Sequence, residues 1–97
     1  MNSKEMKSPM ISVVIRSYNR LNHVLEIVQV CCTQTYENFE VVILDQSSDN
    51  HFKEYSPELN KLDSRFRVVH REPLGGTGAR NYGVAYSNGE IILFMDD

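Results

Sequence analysis

Ninety-seven residues, 41% hydrophobic and 24% charged, suit one small globular unit and leave no length for a second domain. A formal charge of −3, with ten Lys and Arg scattered along the chain, argues against a nucleic-acid partner, which needs clustered cations. No apolar run reaches the length of a membrane span and the polar amino terminus lacks the core of a signal peptide, so a cytoplasmic address is expected.

Residues 1–9 read as a flexible lead, with Pro9 opening the β-branched run Met10 to Ile15, too continuously apolar for a half-exposed edge and so a central parallel strand. Arg16-Ser17-Tyr18 follows, and Asn19 is placed to cap a helix whose Leu21, Val24, Leu25 and Val28 keep an i, i+3, i+4, i+7 stripe to about Gln34. Cys31 and Cys32 on that helix are neighbours pointing roughly 100° apart, which suits neither a disulfide nor a two-thiolate metal site. Phe39 to Leu44 is a second buried strand, ending in the polar loop Asp45 to Asn50. From His51 to Leu62 the helical spacing of Phe52, Tyr55, Leu59 and Leu62 is interrupted by Pro57 and reads as two short turns.

Arg65 to His70 is a third strand, residues 72–78 a turn-rich loop, and Ala79 to Ser87 a helix stopped by Asn88-Gly89. A last apolar strand runs from Glu90 to Met95 and ends in Asp96-Asp97. Strands alternating with helices at about thirty-residue intervals are βαβ units with right-handed crossovers. The expected fold class is therefore α/β, a Rossmann-like three-layer α/β/α arrangement of about four strands in a mainly parallel sheet.

In such a sheet the carboxyl ends of the strands share one edge, so Arg16, Ser17, Tyr18, Asp45, Asp96 and Asp97 should converge. Tyr18 offers a ring for a flat base and Asp45 an acceptor for an imide N–H. The acid pair supplies hard oxygens suited to Mn²⁺ or Mg²⁺, which would neutralise a diphosphate. Taken singly, each has a plainer reading: packing for the Tyr, a turn residue for Asp45, a solvated loop for the pair. The run Gly75-Gly76-Thr77-Gly78 lacks the Walker and dinucleotide spacings and is better suited to close packing, with Arg80 projecting from the first helical turn toward a phosphate or a nearby acid. His23, His51 and His70 lack metal-ligand spacing and read as surface residues.

Four stretches in order, Ile11 to Arg20, Gln34 to Asp45, Gly78 to Gly83 and Gly89 to Asp97, resemble the amino-terminal, nucleotide-binding half of family 2 glycosyltransferases with the GT-A fold. The resemblance implies sugar transfer from a nucleotide-diphosphate sugar, usually a UDP-sugar, to an acceptor hydroxyl, with inversion and with Mn²⁺ or Mg²⁺. It makes residues 10–97 a nucleotide-sugar-binding subdomain that breaks off at the DXD-type motif. By position, Tyr18 is similar to the residue packed on the base, with Arg16 and Ser17 beside it. Asp45 is similar to the acid on uracil, Arg80 to the Arg near the nucleotide, and Asp96 and Asp97 to the first motif acids, touching ribose and metal. Arg16 stands where a small Thr or Pro is common and Gln46 where a second acid is frequent. The third motif acid would fall at residue 98, with the catalytic base and acceptor pocket beyond it. The 97-residue chain is therefore expected to be inactive by itself and to self-associate through an apolar sheet edge. The alternative is a non-catalytic nucleotide-binding α/β module; a sugar-nucleotide pyrophosphorylase would carry a Gly-rich loop where Arg16 to Arg20 stand.

Overall fold

The computed structural model describes residues 9–71 and 75–96. Four parallel strands, β1 (Ile11–Ser17), β2 (Phe39–Asp45), β3 (Phe66–His70) and β4 (Ile91–Asp96), form one sheet in the order β3-β2-β1-β4. Between them run α1 (Leu21–Cys32), α2 (Asp49–Leu59) and α3 (Gly75–Ala85). The expected α/β class and parallel pairing are found.

Alternation along the strands divides the core into two layers, because successive side chains point to opposite faces. Ile15, Val41, Ile43, Phe39 and Phe66 pack with Leu21, Val24 and Val28 of α1 and Leu59 of α2 into one buried cluster, in which the Phe39 and Phe66 rings meet edge to face at 6.3 Å. Val14, Val42 and Leu44 are buried on the opposite face, where α3 crosses β1 and β2. Gly83 lets α3 approach that closely: a Cβ there would stand 2.5 Å from Val14 Cγ1.

Three local expectations are corrected. The stretch expected as two short turns is one helix. Pro57 sits in its last turn, and the Lys53 carbonyl left without the Pro57 N–H accepts instead from Ser56 Oγ at 3.1 Å. Ser48 caps its start, its Oγ accepting from the His51 N–H at 3.2 Å. The glycine run expected in a loop forms the first turn of α3, which starts at Gly75 rather than at Ala79. Asn19 does not cap α1: the cap residue is Arg20, and Asn19 takes a left-handed φ of 53°. Its backbone N–H donates to Ser47 Oγ and its Oδ1 accepts from the Ser48 N–H, so it ties the loop after β1 to the loop after β2. The first N–H of α1, from Leu21, is instead accepted by His51 Nε2 at 3.0 Å.

Residues 1–8 of the flexible lead expected over 1–9 lie outside the described residues, as do 72–74 of the loop expected over 72–78. Among the described residues no helix is long and apolar enough to cross a membrane. β4 lies at the edge of the sheet and exposes Ile91, Leu93, Phe94 and Met95.

Candidate functional site

Of the residues expected at the carboxyl edge, the register places Arg16, Ser17, Asp45 and Asp96 there. Ser17 pairs with Asp45 and Asp45 with His70, a row across three strands, while Arg16 pairs with Asp96 across β1 and β4. The order β3-β2-β1-β4 reverses at β1, and the gap beyond that reversal is where an open α/β sheet admits ligands. A cleft of about 460 Å³ opens at this edge, lined by Tyr18, Gln46, Ser47, Ser48, Asp49, His70 and Arg71.

Tyr18, 55% exposed, offers its ring at the lip. Asp45, expected to face a base, is instead fully enclosed: one oxygen accepts from the Ser47 N–H and hydroxyl, the other lies 2.8 Å from His70 Nδ1. Ser17 is buried in the same row with its hydroxyl unpaired among the described residues. Gln46 is only 7% exposed and lines the cleft with its Nε2 unpaired among the described residues. Arg71 lines the same cleft with its guanidinium 4.3 Å over the Tyr82 ring.

His70, read from the sequence as a surface residue, is half-buried and central. Besides Asp45, its Nε2 meets Asp49 Oδ1 at 3.1 Å, and its ring stacks on Phe52 at 4.1 Å and 10°. Burial draws its pKa down, but the bonds to Asp49 and Asp45 and their charges outweigh this and leave it above the ordinary imidazole value. Its place at the end of β3 was the available signal, since the rule that singled out Asp45 at the end of β2 applies equally there. His51 is likewise engaged, through Leu21.

Not every expected residue joins the cleft. Arg80 is exposed, its guanidinium 5.9 Å from the Phe94 ring, and is not among the lining residues. Asp96 has its place only as the strand partner of Arg16, and Asp97 lies outside the described residues. Among the described residues no three His, Cys, Asp or Glu are grouped to hold a metal.

Residues 12–97 match the profile described as "Glycosyl transferase family 2". The chain belongs to this family. GlyG of Streptococcus pneumoniae, named a glycosyltransferase, is 36% identical over 90 residues, 92% of this chain and 30% of its own length. EpsH of Bacillus subtilis, named a putative glycosyltransferase, is 31% identical over 91 residues, 94% of this chain and 26% of its own. The chain thus spans under a third of these curated relatives. Among solved structures, S. aureus TarS 1-349 in complex with UDP-GlcNAc superposes with a TM-score of 0.70 at 28% identity, covering 90% of this chain and 26% of that one. A Pyrobaculum calidifontis mannosyltransferase solved with GDP-Man and Mn²⁺ gives 0.73 over 93% of this chain and 28% of its own, at 24% identity, a likeness of fold. The family 2 chain is thus a GT-A glycosyltransferase fold through its first four parallel strands.

Proposed function

We propose that this family 2 chain is the donor-binding portion of an inverting glycosyltransferase that takes a nucleotide-diphosphate sugar, a UDP-sugar in particular, and serves transfer to an acceptor hydroxyl. The observation that carries the reading is the cleft at the carboxyl edge, where the open Tyr18 ring stands by the Asp45–His70 row. TarS, the more similar of the two neighbours in sequence, is solved with UDP-GlcNAc and with UDP.

In this reading the base stacks on Tyr18 and its edge is met by the Gln46 amide, while Asp45 acts from beneath, holding Ser47 and His70 where they line the cleft. Arg16 beside Ser17 at the end of β1, and Arg80 on α3, serve the diphosphate, Arg80 after leaving Phe94. Asp96, the strand partner of Arg16 at the end of β4, serves the ribose and, with Asp97, holds Mn²⁺ or Mg²⁺, since carboxylates are the hard oxygen donors such an ion takes. When bound, the ion supplies positive charge beside the diphosphate. In the transfer the acceptor hydroxyl, its proton taken by a general base, bonds through its oxygen to the anomeric carbon from the side opposite the leaving group, as the bond to the β-phosphate oxygen breaks and the nucleoside diphosphate keeps the electron pair. The Arg side chains stabilise the charge growing on that oxygen. No residue of this chain is assigned as the base, and the chain alone is expected to give no turnover.

Tyr18→Ala tests the stacking platform. Loss of a base–aromatic stack should weaken UDP binding about tenfold in calorimetry, with the fold intact because the ring is exposed; unchanged affinity would count against the base lying there. The open edge of β4, with Ile91, Leu93 and Met95 exposed, supports self-association by strand pairing between two copies. Light scattering should then show a mass that rises with concentration, and a constant monomer mass would refute it.

A further inference from the structure

Asp45, His70 and Asp49 form a line of charge beneath the cleft that binding of the base does not by itself use. The His70 ring is held between two acids, with Nδ1 2.8 Å from Asp45 Oδ2 and Nε2 3.1 Å from Asp49 Oδ1. A carboxylate only accepts, so the two contacts stand together only when both ring nitrogens carry protons. The two acids are unlike. Asp45 has no exposed surface, whereas Asp49, in the first turn of α2, is 87% exposed.

That asymmetry decides what happens when the ring loses a proton. One contact must go, and the acid that water can serve instead is Asp49. The Nδ1–H stays on Asp45, while the Asp49 carboxylate is released at the lip of the cleft that Tyr18 and Arg71 also line. Two carboxylates and one cation then become two carboxylates alone, one more net negative charge facing the space assigned to the donor.

We propose that His70 is a positioning residue for donor binding: it fixes the orientation of Asp45 and, by holding or releasing one proton, sets the negative charge that the cleft shows to a nucleotide diphosphate. The inference rests on the donor-site reading above. Among the described residues the charged groups facing the ring are Asp45 from β2 and Asp49 from α2. Phe52 of α2 covers one ring face without charge, Ser47 contributes only a hydroxyl and an N–H to Asp45, and Arg71 is turned to Tyr82 of α3. Because both acids favour the imidazolium, it persists to higher pH than in a free His. Donor affinity is therefore greatest at low pH and falls as pH rises through the folded His70 value.

The test is calorimetric titration of this chain with UDP-GlcNAc at fixed Mg²⁺. The diphosphate of that donor is esterified at both ends, so its charge stays constant between about pH 6 and about pH 8.5. Affinity should fall on the order of fivefold across that range, the effect of one added charge at a partly solvated site. His70→Asn, whose amide can donate to Asp45 but carries no charge, should bind with a flat pH profile. Asp49→Asn should move the fall to lower pH, since one of the two acids holding the proton is gone. A wild-type chain that binds equally well at both ends of the range overturns the inference and leaves the donor site standing; a chain that binds at neither end overturns both. Should His70→Asn not fold, ring ¹⁵N shifts of the ligand-free wild type decide. The Nδ1 proton should be the one retained at high pH, and its loss before the Nε2 proton would contradict the assignment.

Discussion

Gly89→Ala will cost the fold about 3 kcal/mol, among the largest losses expected of any single methyl group here. An added Cβ would stand 2.5 Å from Ser12 Oγ, 2.7 Å from Ser12 N and 2.9 Å from Met10 O. Two of these atoms are backbone and cannot rotate away. The chain at 88–90 would have to lift off the start of β1, and it is bonded there. The Gly89 N–H donates to Ser12 Oγ at 2.7 Å, and the Glu90 and Ile91 N–H groups donate to Met10 O at 2.9 and 3.2 Å. For a domain this small the loss corresponds to a fall in Tm on the order of 15 °C by circular dichroism. A fall of a degree or two would mean that this close approach is not a constraint on the fold.

Glu40→Ala should be nearly as damaging, about 3 kcal/mol in chemical denaturation, because it strips a buried carboxylate from a converging set of donors. Glu40 accepts from Ser12 Oγ and the Asn88 N–H, each at 2.5 Å, from Asn88 Nδ2 at 3.3 Å and from Arg67 Nη2 at 3.1 Å. Arg67 also donates to the Tyr86 carbonyl, so one side chain of β2 joins β1, β3 and the turn after α3. Burial alone would raise the Glu40 pKa; the bonds from Asn88 and Ser12 and the Arg67 charge outweigh it and hold it below the ordinary value. A depressed folded value stabilises above the ordinary carboxylate range and ceases to do so as pH falls through it. The gap in stability between wild type and Glu40→Ala should therefore be full at neutral pH and shrink below about pH 4. A gap that stays constant into acid would remove the carboxylate from the explanation. As Gly89 and Glu40 both act through Ser12, the double variant should lose less than the sum of the single ones.

This latch lies at the opposite end of the sheet from the cleft, yet it bears on function. It fixes where β4 begins against β1, and the pairing of Ile11 with Ile91 then carries through to that of Arg16 with Asp96. A slip of one residue would take Asp96 out of register with Arg16.

Much of this was legible in the chain. The continuous apolar runs of β1 and β2 announced buried parallel strands, and the rule that such strands end on one edge brought Ser17, Tyr18 and Asp45 together in advance. What was not legible depended on partners distant in sequence. Pro57 argued for a break, but Ser56 could take over the Lys53 carbonyl. Asn19 had the right chemistry for a cap, yet two polar groups at Ser47 and Ser48 compete for it. The glycines at 75–78 suggested a loop because their local preference is weak and position in the fold decides. Asp45 looked available to a ligand because nothing in its own segment announces His70, 25 residues away. The Glu40 set was missed for the same reason, its donors arriving from positions 12, 67 and 88.

The central claim, a donor site at the carboxyl edge of β1 and β2, is tested most directly by titrating the ¹⁵N-labelled chain with UDP, with and without Mn²⁺, and following its amide resonances. The account predicts shifts centred on Tyr18, Gln46, Ser47, His70 and Arg71 and reaching Arg16, Arg80 and Asp96, and tighter binding with the metal. A folded chain showing no shifts with UDP in large excess, or shifts centred away from this cleft, would contradict it.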